Sequence, residues 1–127
     1  MKKEVISTTA APAAVGPYSQ AVLTRGELLF ISGQVPIDPQ TGKIVEGGIE
    51  AQTTQSCKNL AAILAAKNLD FKDVAKTTVF IAHIEDFPRV NKIYSEFFKE
   101  PFPARSCVEV GALPLGALVE IEAIVVA

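Results

Sequence analysis

Two short runs near the C-terminus place charge where a strand should be burying itself. Phe102-Pro-Ala-Arg-Ser-Cys-Val-Glu-Val110 holds Arg105, Cys107 and Glu109 at one parity, and Leu118-Val-Glu-Ile-Glu-Ala-Ile-Val-Val-Ala127 holds Glu120 and Glu122 at one parity. Ionised groups are rarely buried without a partner or a task. A lone arginine facing a lone carboxylate in an otherwise apolar sheet suggests a site for a small organic anion. The guanidinium of Arg105 offers a planar fork that matches a carboxylate. A structural ion pair between Arg105 and Glu120, Glu122 or Glu109 is the competing reading, and side-chain chemistry alone does not choose between them. A carboxylate can also hold and partly deprotonate a water, and Glu120 and Glu122 are both placed to do so. Cys107 invites a nucleophile, but a thiol needs an activating base or charge. The only histidine, His83, follows a different strand.

Composition narrows the classes of function. The 127 residues, 49% hydrophobic and 20% charged, fit one globular domain, 1–127. A formal charge of −2 supplies no basic field for a phosphate backbone, so no nucleic-acid partner is expected. The N-terminus lacks the long apolar run of a secretory signal, and no stretch is suited to spanning a bilayer. Cys57 and Cys107 are too few for a disulfide scaffold, which fits reduced thiols in a cytoplasmic protein. His83 with two distant cysteines makes no metal motif, and Gly42, Gly47 and Gly48 match no phosphate loop. No cofactor is implied.

The elements that must position these residues follow from periodicity. Tyr18–Thr24 and Leu28–Ser32 are apolar runs around Arg25-Gly26-Glu27, which predicts a β-hairpin. Asp38–Gly42 reads as a turn. From about Ile49 to Lys67, Cys57, Leu60, Ala61 and Leu64 fall on one face of a helix that Asn68 and Asp70 end. The β-branched run Val74–Ala82 predicts a strand. Asp86 then caps a second helix to about Lys99, with Pro88 in its first turn and Phe87, Val90, Tyr94, Phe97 and Phe98 as its stripe. Two strands close the chain. The expected fold is α+β, with two helices on one face of a mixed sheet. The last strand puts Val119, Ile121, Ala123 and Val125 under the helices. Its other face is too apolar for water, which predicts a second subunit against it and a closed homo-oligomer.

Several segments together resemble the RidA (YjgF-type) family of reactive-imine deaminases. They are Ala14-Val-Gly-Pro-Tyr-Ser-Gln20, Ile31-Ser-Gly-Gln34, Lys76-Thr-Thr-Val-Phe80, Val90-Asn91, and Pro103-Ala-Arg-Ser-Cys-Val-Glu-Val110 through Val119-Glu-Ile-Glu-Ala-Ile124. The last block is the specific one. The resemblance implies a chorismate-mutase-like fold and a homotrimer whose sheets meet in a barrel, with sites between subunits. It implies hydrolysis of 2-iminopropanoate and 2-iminobutanoate to 2-oxo acids and ammonia, which clears reactive enamine and imine intermediates.

By the same resemblance, Arg105 anchors the substrate carboxylate and Glu120 positions the water. Cys107 contributes its backbone N–H. Tyr18, Ser32, Gly33 and Asn91 are further substrate-binding candidates. Each has a plainer reading: packing for Tyr18, a turn for Ser32-Gly33, and the surface for Asn91. A non-catalytic trimer that binds small carboxylates or protein partners is the alternative function. An RNA-directed role lacks a basic stripe, and a mutase acting on a dicarboxylate would draw on only Arg25, Arg89 and Arg105.

Overall fold

A computed structural model describes residues 2–127. The strands are β1 (Lys3–Ile6), β2 (Ala21–Thr24), β3 (Leu28–Gln34), β4 (Ile37–Asp38), β5 (Lys43–Ile44), β6 (Val74–Ile81), β7 (Ala104–Glu109) and β8 (Val119–Val126). Helix α1 (Gly48–Ala65) precedes β6, and α2 (Phe87–Phe97) joins β6 to β7. The central sheet runs β3-β8-β6-β7, with β6 and β7 parallel and the other neighbours antiparallel. The expected mixed α+β architecture with two helices is therefore present.

The parallel β6/β7 pair positions the site. Parallel neighbours need a crossover connection, usually a helix, and the crossover must lie on one face of the sheet. Here it is α2, whose buried Val90 and Tyr94 face the core. Helix α1 lies beside it and packs on β3 and β8. Its buried residues Ile49, Thr53, Cys57, Leu60 and Leu64 recur every three to four positions, the spacing of one helical face. Glycines are required where α1 begins, because Gly47 has φ 113° and Gly48 φ 80°. The helix ends in a left-handed Asn68, and the Leu69 N–H donates back to the Leu64 carbonyl. Under both helices lie Val79, Ile81, Val119, Ile121 and Val125, all fully buried. Each such side chain contributes about 1.5–3 kcal/mol over an exposed one.

Two expectations change. The β2/β3 hairpin does not form: β2 pairs with β1, and β3 pairs with β8. Gly26, at φ 129°, turns the chain out of one sheet and into the other. In β3 this choice buries Ile31 opposite Ala123 on the helix-covered side. Asp86 likewise makes no side-chain cap on α2; its carboxylate accepts from Arg89 instead. The open face of the sheet is as apolar as expected, with Phe30 at 68% and Val108 at 44% exposure.

Candidate functional site

Arg105 lies next to Thr77 in the β6/β7 register, on the helix-covered side of the sheet. Because β7 is an edge strand, the guanidinium emerges from under α2 and remains half-buried. Three rings surround it, with Cζ 5.0 Å from the Tyr94 centroid, 5.4 Å from Phe87 and 5.5 Å from Tyr18. Phe87, Asn91 and Tyr94 are spaced i, i+4, i+7, so one side of α2 supplies two rings and an amide. Nη1 of Arg105 donates to Asn91 Oδ1 at 2.7 Å.

Tyr18 arrives by a separate route. Ser19 bridges to Ala104 beside β7, and its N–H donates to the Pro103 carbonyl, which lays the 18–20 segment along that edge. The Tyr18 hydroxyl accepts from the Val15 N–H at 3.3 Å and so fixes the preceding loop.

Among the described residues, no carboxylate lies within ion-pairing distance of Arg105. Glu109, one proposed partner, instead accepts from the Ile84 N–H at 2.7 Å. Burial lowers the Arg105 pKa, partly opposed by Tyr94, Cys107 and Tyr18. The guanidinium stays charged, since arginine starts above 12. A cation stripped of part of its water, held by one nitrogen and lacking an anion, is an anion-binding arrangement.

Glu120 lies elsewhere. It pairs with Phe80, three residues beyond Thr77, so its side chain leaves the opposite face of the sheet from Arg105. Arg105 and Glu120 therefore do not face each other within one chain, which corrects the expectation drawn from strand parity alone. Parity orders residues within one strand; which faces match between strands depends on register, and the register is set by the whole sheet.

On the open face, Glu120 lies against Gly33. A Cβ built on Gly33 would sit 1.7 Å from Glu120 Oε2 and 2.7 Å from its Cδ. Ser32 and Gly33 form an irregularity in the β3/β8 ladder between Ile31 and Gln34. Such a break frees backbone groups from regular pairing. Glu122 shares this face and is exposed.

The Cys107 thiol follows Arg105 on the same side of β7 and is partly buried. Burial raises its pKa, and nearby Arg105 only partly counters this. A protonated thiol is a poor nucleophile, which leaves the backbone N–H as the useful group. The buried Cys57 thiol is pushed up to about 12.

A concavity of about 750 Å³ is lined by the N-terminal arm, Tyr18 and Glu100–Phe102. It touches the Tyr18 wall of the arginine cradle but includes neither Arg105, Cys107 nor Glu120. A second groove of about 340 Å³ runs between Gly33–Ile37 and α1. The sheet thus divides the candidate residues of one chain into two groups: Arg105, Cys107, Tyr18 and Asn91 on one side, Glu120, Ser32 and Gly33 on the other, each a candidate half-site. Phe87 and Tyr94, read in the sequence only as core, also belong to the arginine half. The signal for Tyr94 was its hydroxyl, which needs a partner wherever the ring is buried.

Residues 8–127 match the protein-family model described as Endoribonuclease L-PSP. The human protein named 2-iminobutanoate/2-iminopropanoate deaminase is 49% identical over 124 residues, covering 98% of this chain and 90% of its own length. The crystal structure of RidA from an Antarctic Psychrobacter is similar, with a TM-score of 0.77, 42% identity and coverage of 98% of this chain and 99% of that one. So is that of E. coli TdcF with bound serine, with a TM-score of 0.75, 42% identity and 98% coverage of each chain.

Proposed function

Since the chain belongs to the endoribonuclease L-PSP (RidA/YjgF) family, we propose that it is a deaminase hydrolysing 2-iminobutanoate and 2-iminopropanoate to 2-oxo acids and ammonia. Arg105 carries this reading, as a half-buried guanidinium in a three-ring cup with no carboxylate of its own. A small 2-imino acid has one permanent charged handle, its carboxylate, and Arg105 takes it bidentately while the backbone N–H of Cys107 assists. Tyr18 closes one wall. The protonated imine is already electrophilic, so a water held by Glu120 can attack C2. Glu120 takes a proton from that water and later returns one to the departing nitrogen. The tetrahedral aminol collapses as its C–N bond breaks and the C2 hydroxyl gives its proton to the ionised Glu120 and becomes the carbonyl, the proton that had made the imine electrophilic being thereby returned. One imine and one water give one 2-oxo acid and one ammonia.

The two half-sites favour a homo-oligomer with a site between subunits, and the family resemblance makes it a homotrimer whose sheets meet in a barrel, in a chorismate-mutase-like fold. Arg105 and Glu120 leave opposite faces of one sheet, so a single small molecule meets both when they come from different chains. The exposed Phe30 and Val108 supply apolar surface for such contact. In this reading the chain is one domain acting in the cytoplasm. No helix among the described residues is long and apolar enough to cross a membrane.

The test uses an amino-acid dehydratase to generate the imine in situ while 2-oxo acid release is followed. The wild-type protein is expected to accelerate release, and Arg105→Ala to remove the gain. Release no faster with the protein than without it overturns the reading. Binding of 2-oxobutanoate without turnover would favour the non-catalytic module instead.

A further inference from the structure

We propose that Tyr94 and Thr77 are positioning residues for Arg105, setting the height of α2 above β7 and hence the aim of the guanidinium. The inference rests on the carboxylate-anchoring role of Arg105 given above.

Thr77 is the register neighbour of Arg105, and its Oγ1 shares a 2.8 Å hydrogen bond with the Tyr94 hydroxyl, both groups being fully buried. This is a direct side-chain tie between α2 and the strand that flanks β7. It sits one turn from Asn91, whose Oδ1 holds Nη1 of Arg105. The Tyr94 ring is the nearest of the three around the guanidinium, at 5.0 Å. That ring is itself held by its neighbours: Tyr94 stacks on Phe98 at 4.1 Å and 14°, and Phe98 meets Phe71 edge-on at 4.7 Å. An isolated arginine side chain would sample many rotamers. Here the amide fixes one nitrogen, the rings fix the plane, and the buried hydroxyl pair fixes the helix that carries them. Burial raises the Tyr94 pKa far above neutrality, so its hydroxyl remains a neutral partner for Thr77.

Removing the tie while keeping the ring should loosen the anchor without deleting it. Tyr94→Phe and Thr77→Val are each expected to raise KM for the imine about three- to tenfold with kcat nearly unchanged, the pattern of lost uniform binding. The Kd for 2-oxobutanoate should weaken in parallel. Thr77→Ser keeps the hydroxyl and should restore both values. Val90→Ala loosens the same helix–sheet seam but keeps both hydroxyls of the tie; it should lower Tm and leave KM and Kd in place.

An unchanged KM and Kd in Tyr94→Phe, or an equal shift in Val90→Ala, overturns the proposal. If the wild type binds 2-oxobutanoate but does not turn over imine, the deaminase reading fails and Kd alone decides this one. A wild type that does neither overturns both.

Discussion

Arg105 illustrates how much one side chain can say and what it leaves out. Its charge in an apolar strand is visible in the sequence, as is the acidic pair beyond it. Its setting is not, because Asn91, Phe87 and Tyr94 reach it only through the placement of α2 over β7. In the sequence, Asn91 lies off the apolar stripe and Tyr94 lies within it, so the first passes for surface and the second for core. Cys107 carries the prediction at this scale. Burial holds its thiol protonated and Arg105 counters this only in part. Alkylation by iodoacetamide at pH 7.5, followed by mass spectrometry, is expected to run slower at Cys107 than at a free cysteine. Labelling faster than the free thiol would restore the nucleophile.

Elements with clear periodicity were legible. Helix α1 was expected over 49–67 and spans Gly48–Ala65, while β6, expected over 74–82, spans Val74–Ile81. The β2/β3 hairpin failed because a glycine turn between apolar runs does not say which edge each run will join. The short β1, with only Lys3–Ile6, carried no signal strong enough to announce the partner of β2. Two predictions belong here. Gly33→Ala would drive a Cβ into the Glu120 carboxylate, which can swing away because it is the far end of a flexible chain. The variant should therefore fold, with Tm nearly unchanged, yet lose imine hydrolysis by roughly tenfold or more, since a displaced water-holding group forfeits general-base catalysis.

Asp73 gives the other. Burial disfavours its charge, but hydrogen bonds from Lys2 and the Asp70 N–H, with the charges of Lys2 and Lys72, outweigh this and leave its pKa lowered. A carboxylate with a depressed pKa in the folded state stabilises the fold above its unfolded value near 4, and that contribution is lost as pH falls through the folded value. Denaturation in urea at pH 7 and pH 3 should show Asp73→Asn costing about 1–2 kcal/mol at the higher pH and less at the lower. An equal loss at both would remove the charge from the account.

For the whole molecule, charge balance and an open sheet face that is too apolar for water were readable without coordinates. Their joint meaning was not, because parity arranged Arg105 and Glu120 as if they met. Register separates them across the sheet, and that division has a genetic consequence. A chain lacking the arginine and a chain lacking the glutamate should each be inert alone, yet each would still own the half the other has lost. Co-expressing Arg105→Ala with Glu120→Gln should revive hydrolysis, to roughly a quarter of wild type if chains assort at random around a closed ring. Two broken copies would then mend one another, an outcome closed to any enzyme whose working parts share a single chain.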